Sequence, residues 1–296
     1  MTGLLLVDKP GGITSHDVVD RIRKAAQMRK VGHTGTLDPH ATGLLVLCLG
    51  RATRLSEHLT GLDKEYEGTM RFGLVTDSYD LDGQVLEEHA VPDLDRDAVQ
   101  QVCQRFTGEI AQQPPMVSAV KVGGERLYKR ARKGEVVERK PRNVTVHEFS
   151  VLAFTPPDAH IRVRCSSGTY VRSLCHDAGR ELGCGAVLAD LRRTRVGRHT
   201  VAGAPPLEAF TGPEVVEANL IPMGEALDLP EVVVGEGCRS RVASGSVLTV
   251  SDMVEPCPAR EGWVQVKDEA GSLLALGTAE PTAMGARVHP RRVFIG

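Results

Sequence analysis

Six consecutive apolar residues, Leu44 to Leu49, run between Gly43 and Gly50, the pattern of a strand buried on both faces. A stricter alternation follows in EYEGTMRFGL. There Tyr66, Gly68, Met70, Phe72 and Leu74 share one side, and Glu65, Glu67, Thr69 and Arg71 the other, so a half-buried strand carries a tyrosine near its start. Helical periodicity appears in TSHDVVDRIRKAAQ, where Thr14 and Asp17 are spaced as a capping box and Val18, Ile22 and Ala25 fall on one face. A second helix is expected from an N-cap at Asp93 through Leu94, Ala98, Val102 and Phe106 to Gly108. The stretch HIRVRCSSGTYVRSLCHDAGRELG reads as a strand, a glycine turn and a helix closed by Gly183. GAVLADLRRTRVG adds a short strand bearing Arg192, Arg193 and Arg195.

The order of these elements is mixed rather than regularly alternating, and no internal repeat is visible. An α+β fold with a largely antiparallel sheet is therefore expected. The 296 residues leave room for about two domains. Composition shifts near residue 228, after which short β-like runs (WVQVKD, SLLALGTA) alternate with Gly, Pro and Asp. The expected division is 1–228 and a small all-β unit over 229–296.

Apolar residues at 41% and charged residues at 25% are ordinary for a globular protein. The apolar run at the start is only four residues long before Asp8 and Lys9, neither a signal peptide nor a membrane span, so a cytoplasmic location is expected. Net charge is −2, yet its distribution is uneven. From Lys121 to Arg142 nine Lys and Arg face three Glu, and from Asp77 to Asp97 eight acids face Arg96 alone. Such segregation lets one surface hold phosphates while the molecule stays near neutral. Charge runs alone fit two solvated segments as well.

Candidate chemistry centres on GHTGTLDPHATG, residues 32–43, where three glycines and a proline surround Asp38. Pro39 pushes the backbone of Asp38 toward extended conformations, and Gly35 and Gly43 permit positive φ or close approach of another backbone. The same Asp-Pro pair is also a standard helix start, so capping and catalysis stand about even. His33, Tyr66 and Arg172 have equally ordinary readings as a loop histidine, a core tyrosine and one half of an ion pair. Seven scattered cysteines form no C-x-x-C pair, which argues for reduced thiols and against zinc. No hydrolase, kinase, metalloprotease or dinucleotide motif is present.

Taken together, the segments say more. LLLVDKPGGITSHDVV, VGHTGTLDPHATGLLVLCLG, KEYEGTMRFG, TDSYDLDG, FTGEIAQQPPMVSAVKVGGERLYKRARKGE, CSSGTYVRSLCHDAGRELGCGAVLADLRRTRVG and LIPMGEALDLP resemble, in order, the tRNA pseudouridine-55 synthases of the TruB family over residues 3 to 230. Ser78 stands where that family more often has threonine. The ending HPRRVFIG is similar to the PUA-type domain that follows the catalytic domain. The resemblance implies a pseudouridine-synthase fold and isomerisation of one T-loop uridine by base flipping, with no cofactor and no metal. It implies that Asp38 is the nucleophile, that Arg172 pairs with it and keeps it ionised, and that Tyr66 stacks on the target base. Tyr170, Leu191 and Lys9 would line the uridine pocket, and His33 would enter the T loop. The basic span 121–142 would be a thumb-like insertion closing on RNA through Lys121, Arg126, Lys129, Arg130, Arg132 and Lys133. The expected partner is the tRNA T-stem loop, bound by a monomer. A tRNA chaperone with dispensable chemistry and the catalytic subunit of a guide-RNA ribonucleoprotein are the alternatives; the short N-terminal segment and the lack of a charged tail favour the stand-alone enzyme.

Overall fold

The computed structural model describes every residue except 117, 119, 120, 123, 124, 127–138, 258 and 296, with 121, 122, 125 and 126 described by backbone alone. Its centre is a nine-stranded sheet. The main path runs β1 (Gly3–Lys9), β3 (Thr42–Leu49), β12 (Ala186–Val196), β4 (Lys64–Phe72), β11 (Asp158–Cys165), β10 (Arg142–Thr155) and β7 (Gly108–Gln112), while β2 (Val31–His33) joins β3 and β13 (His199–Thr200) joins β12. Every pairing is antiparallel except β3 with β12. The fold is thus α+β with a largely antiparallel sheet.

The apolar run in β3 explains itself in this position. Leu44, Val46 and Cys48 feed one core, whereas Leu45, Leu47 and Leu49 feed another on the opposite face. Each side chain is essentially inaccessible, and burying one of the leucines or the valine contributes about 1.5–3 kcal/mol. In β4 the expected alternation holds through Phe72 and stops at Gly73, whose φ of 88° turns the chain into β5 (Leu74–Thr76). The polar side of β4 is stitched across the sheet. Glu67 faces Arg162, Arg71 faces Asp158 and Glu65 faces Arg195, each an ion pair between register partners.

Helix α1 (Ser15–Ala25) begins with the expected capping box. The Thr14 hydroxyl accepts from the Asp17 amide at 3.1 Å, and the Asp17 carboxylate accepts from the Thr14 amide at 2.8 Å. A short helix α2 (Ser56–Thr60) precedes β4. Helix α3 (Arg96–Arg105) is capped by Asp95 rather than Asp93, because the Asp95 carboxylate is the one that reaches the third amide of the helix, on Ala98, at 2.7 Å. Helix α4 (Val171–Glu181) closes at Gly183, φ 76°. The strand bearing the three arginines, β12, is eleven residues long and sits inside the sheet. It is not the short strand that its charge suggests.

The acidic segment forms a hairpin of β5 and β6 (Val85–Glu88). In the basic segment β8 (Lys121–Val122) pairs with β9 (Glu125–Arg126). Lys129, Arg130, Arg132 and Lys133 lie outside the described residues. A four-stranded sheet, β14 (Glu231–Val234), β15 (Gly262–Asp268), β16 (Leu273–Thr282) and β17 (Gly285–Val293), makes up the C-terminal β-rich unit. It is packed against the rest: Leu273, Leu276 and Phe294 share one apolar cluster with Leu4, Leu44 and Leu55. Among the described residues no helix is long and apolar enough to cross a membrane. All seven cysteines are free; burial pushes the Cys48 and Cys103 thiols up to about 12, which keeps them protonated.

Candidate active site

The register of β12 explains why distant segments meet. Arg193 stands opposite Gly43 of β3 on one side and opposite Tyr66 of β4 on the other. Its guanidinium, 2% exposed, threads beneath the 34–41 loop and donates to the carbonyls of Leu44 at 2.7 Å, Gly35 at 3.1 Å and Thr36 at 3.4 Å. Its charge lies near the Tyr66 hydroxyl, where burial holds the phenol above its ordinary pKa and the guanidinium opposes that rise. One buried arginine therefore stands between the loop and the tyrosine.

Gly43 is required here on two grounds. Its φ is 97°, and a Cβ would lie 2.3 Å from the Arg193 carbonyl oxygen. Gly35, by contrast, is not in the positive-φ region, and a Cβ there would meet the Arg193 guanidinium at an ordinary 3.5 Å.

No helix follows Pro39. The Ala41 amide returns to the Asp38 carbonyl at 3.1 Å, a single tight turn with proline at its second position. The capping alternative for Asp38 is thereby removed. The turn is held from below by Lys9, fully buried, whose ammonium donates to the carbonyls of Pro10 (2.8 Å), Pro39 (3.0 Å) and Ala41 (2.7 Å). Desolvation lowers the Lys9 pKa to about 8, against the pull of the Asp38 charge. All three ammonium hydrogens are spent on the chain itself, so Lys9 acts on the loop rather than in an open pocket. Ser15, at the start of α1, clasps Leu37 by both its amide (2.8 Å) and its carbonyl (3.0 Å).

Arg172, in the first turn of α4, reaches Asp38 Oδ2 with Nη2 at 3.0 Å. Its Nη1 donates to Asp80 Oδ2 at 3.1 Å and to the Ser78 carbonyl at 3.0 Å. The Arg172 and Asp80 side chains are 5% and 6% exposed, whereas Asp38 is 38% exposed. Asp38 is accordingly the carboxylate of this trio that a reactant can touch. Asp80 is itself fixed: its Oδ1 accepts from the Ser78 hydroxyl at 2.5 Å and the Asp82 amide at 3.2 Å, and its carbonyl accepts from Thr76 at 2.7 Å. Tyr79 between them adopts φ 65° and stacks on His176, one turn beyond Arg172, with ring centroids 3.8 Å apart.

Tyr170 precedes α4, and the Gln112 side chain grips both its amide (2.8 Å) and its carbonyl (3.0 Å). Leu191, 9% exposed, and half-buried Tyr66 belong to the same apolar cluster. His33 ends β2 and accepts from the Gly35 amide at 3.3 Å. The fold thus gathers Asp38, Tyr66, Tyr170, Arg172 and Leu191 on sheet strands, loops and a helix start that share one side of β12. Arg193, Asp80 and Gln112 carry no signal in the sequence that marks them as site residues. A buried arginine in a strand leaves no periodic signal, because its partners are carbonyls elsewhere in the chain.

The model of the TruB family pseudouridylate synthase N-terminal domain matches residues 23–171, and that of the tRNA pseudouridylate synthase B C-terminal domain matches 172–227. The chain belongs to the TruB family. Proteins named tRNA pseudouridine synthase B are similar throughout: that of Opitutus terrae is 50% identical over 229 residues, 76% of this chain and 95% of the relative. That of Thermobifida fusca is 49% identical over 96% of this chain and 98% of its own. That of Pseudomonas aeruginosa is 41% identical over 99% and 96%. Among solved structures, an H/ACA RNP bound to a substrate RNA containing 2'-deoxyuridine superposes with a TM-score of 0.76 at 28% identity, covering 99% of this TruB-family chain and 85% of the other.

Proposed function

We propose that this chain converts the uridine at position 55, in the T loop of tRNA, to pseudouridine, with Asp38 as the nucleophile. Pseudouridine synthesis in tRNA comes with the family and with relatives at 41–50% identity named for it. The roles of individual residues rest on the site. The observation that carries them is the Arg172 bridge, which holds exposed Asp38 with one nitrogen and buried Asp80 with the other.

The reaction breaks the bond from N1 to C1′, turns the uracil and forms a bond from C5 to C1′. N1 gains the proton that C5 loses, so neither oxidant nor water is consumed. A carboxylate suits a temporary covalent link, and an arginine that forms a charge-assisted bond to it sets its direction. Taking the uridine out of the stack costs a few kcal/mol. Stacking on Tyr66 returns about 1–3 kcal/mol, and Tyr170 and Leu191 close the pocket around the base. His33, at the mouth of the same loop, stacks with or hydrogen-bonds to T-loop bases, and Lys9 serves by fixing the loop. The thumb from 121 to 142 supplies phosphate contacts. The unit after residue 228 is read as a PUA-like RNA-binding domain.

Identity of 41–50% to tRNA pseudouridine synthases, against 28% to chains of H/ACA complexes, supports the tRNA enzyme over a guide-RNA subunit. The test is Asp38→Asn, with release of tritium from C5-labelled uridine in a T-arm RNA measured beside RNA binding. Turnover should vanish while binding persists. Retained turnover would sink the nucleophile assignment.

A further inference from the structure

A cavity of about 590 Å³ lies away from this site, where the catalytic sheet, the 226–229 linker and β15 meet. Its volume is in the range of small-ligand sites, which favour domain junctions. It lies on the face of β4 opposite Tyr66. Arg164 and Arg195 in its wall are the register partners of Glu65, whose side chain must point away from that of its neighbour Tyr66.

The walls have two characters. Leu62 and Leu227 are apolar, and the only tryptophan of the chain, Trp263, stands edge-to-face with His58 at 4.5 Å between centroids. Trp263 remains 38% exposed, so a large flat surface is left uncovered. The other wall is charged. Arg195 is consumed by Glu65 at 2.5 Å, but the side chains of Arg164 and Arg198 make no hydrogen bond or ion pair to another described residue, and neither does the carboxylate of Asp228 on the rim.

The enclosing segments are already fixed. Gly197 donates to the Asp63 carbonyl at 2.8 Å, His199 contacts the Ala226 carbonyl at 3.0 Å, and Gln265 donates to Leu227 and Leu229 at 3.3 and 3.2 Å. A preformed cavity avoids the ordering cost of binding.

We propose that this junction cavity binds a nucleotide, its base against Trp263 and His58, its phosphate on Arg164 and Arg198, and its ribose hydroxyls on Asp228. Aromatic rings take a base of any identity by stacking. Guanidinium forks match phosphate oxygens, and Asp228, unlike Asp63 in the same lining, which pairs with His147 at 2.9 Å, has its carboxylate open to accept from a ribose diol. An isolated anion would leave the aromatic wall unused, and an apolar ligand would leave two arginines unmatched. The nucleotide is either a free monophosphate or one unpaired residue of an RNA strand.

Because Trp263 is the only tryptophan, its fluorescence reports the cavity alone. The full-length protein is titrated with adenosine and uridine 5′-monophosphates, the two nucleosides, inorganic phosphate and an unpaired RNA hexanucleotide. The monophosphates should change the emission saturably, with nucleoside and phosphate each needing at least about tenfold more. Arg164→Ala and Arg198→Ala, both at exposed positions, should each weaken the monophosphate by about tenfold while tritium release from the T-arm RNA stays at the unmutated rate. Tighter binding of the hexanucleotide assigns the site to an RNA strand, and tighter binding of the monophosphate assigns it to a free nucleotide. No saturable change, phosphate or nucleoside equalling the monophosphate, or indifference to both arginine variants would overturn the proposal.

Discussion

Replacing Asp80 by Asn isolates what the second carboxylate does for the first. Asn keeps an acceptor for the Ser78 hydroxyl and the Asp82 amide, but presents an NH2 group to Arg172 Nη1, where Asp80 Oδ2 now sits at 3.1 Å. Both partners are about 95% buried, so solvent screening gives little relief. Loss of one charge-assisted bond costs about 1.5–3 kcal/mol, below the roughly 3–5 kcal/mol of breaking a buried pair outright, because Nη1 keeps the Ser78 carbonyl and Nη2 keeps Asp38. A fall in stability of about 2–3 kcal/mol is therefore expected from urea unfolding. Arg172 would also settle toward its remaining partners, and displacement of an orienting group by about 1 Å costs about 100-fold in rate. The expected signature is a kcat about 100-fold down in tritium release with KM for T-arm RNA nearly unchanged, since Asp80 is shielded from the RNA. Asp82→Asn is the matched control, because its exposed carboxylate contacts His40 and not Arg172; its effect should stay within about 0.5 kcal/mol. A folded Asp80→Asn protein with undiminished kcat would show that Arg172 is oriented without Asp80.

Three further outcomes are expected. Gly43→Ala should cost more than about 3 kcal/mol and lower the thermal midpoint sharply, since both the positive φ and the 2.3 Å approach to the Arg193 carbonyl oppose a methyl group; a midpoint within a degree of the parent would contradict the packing described. Lys9 and Lys64 both have pKa values lowered to about 8 by burial. The unfolded chain thus holds more protons between about 8 and 10.5, and these two groups make stability rise with pH across that window; Lys9→Met should remove part of that rise in urea unfolding followed from pH 7.5 to 10. Binding of T-arm RNA should weaken linearly in log–log salt titrations, and Lys129→Ala or Arg130→Ala should each reduce the slope by about 1; a salt-insensitive affinity would refute the thumb assignment.

Local order was legible where the signal is local. The Thr14 and Asp17 pair, the Gly183 stop and the alternation from Tyr66 to Phe72 each depend on residues within one turn or one strand, and each appears where expected. Asp93 against Asp95 shows the limit of the same reasoning. Both are good caps in composition, and the choice between them is a matter of which carboxylate reaches the Ala98 amide. The arginine-rich run of β12 misleads in the other direction, because charge suggests a surface while Arg193 is buried with its hydrogen bonds met by carbonyls on a different strand and loop.

The sequence by itself determined the α+β class, the strands around Gly43 and Tyr66 and, through motifs in fixed order, membership of a family. What only the tertiary structure decided is the use of GHTGTLDPHATG. Locally, Asp38 before Pro39 suits a helix cap as well as a catalytic loop, because both need the same extended backbone. The helix-cap reading is removed by groups more than 130 residues away: Arg193, which occupies the space beside Gly43, and Arg172, which holds exposed Asp38 with one nitrogen and buried Asp80 with the other. Hydrogen bonds and ion pairs across such separations depend on the register of the sheet, and no window of the chain contains both of their ends.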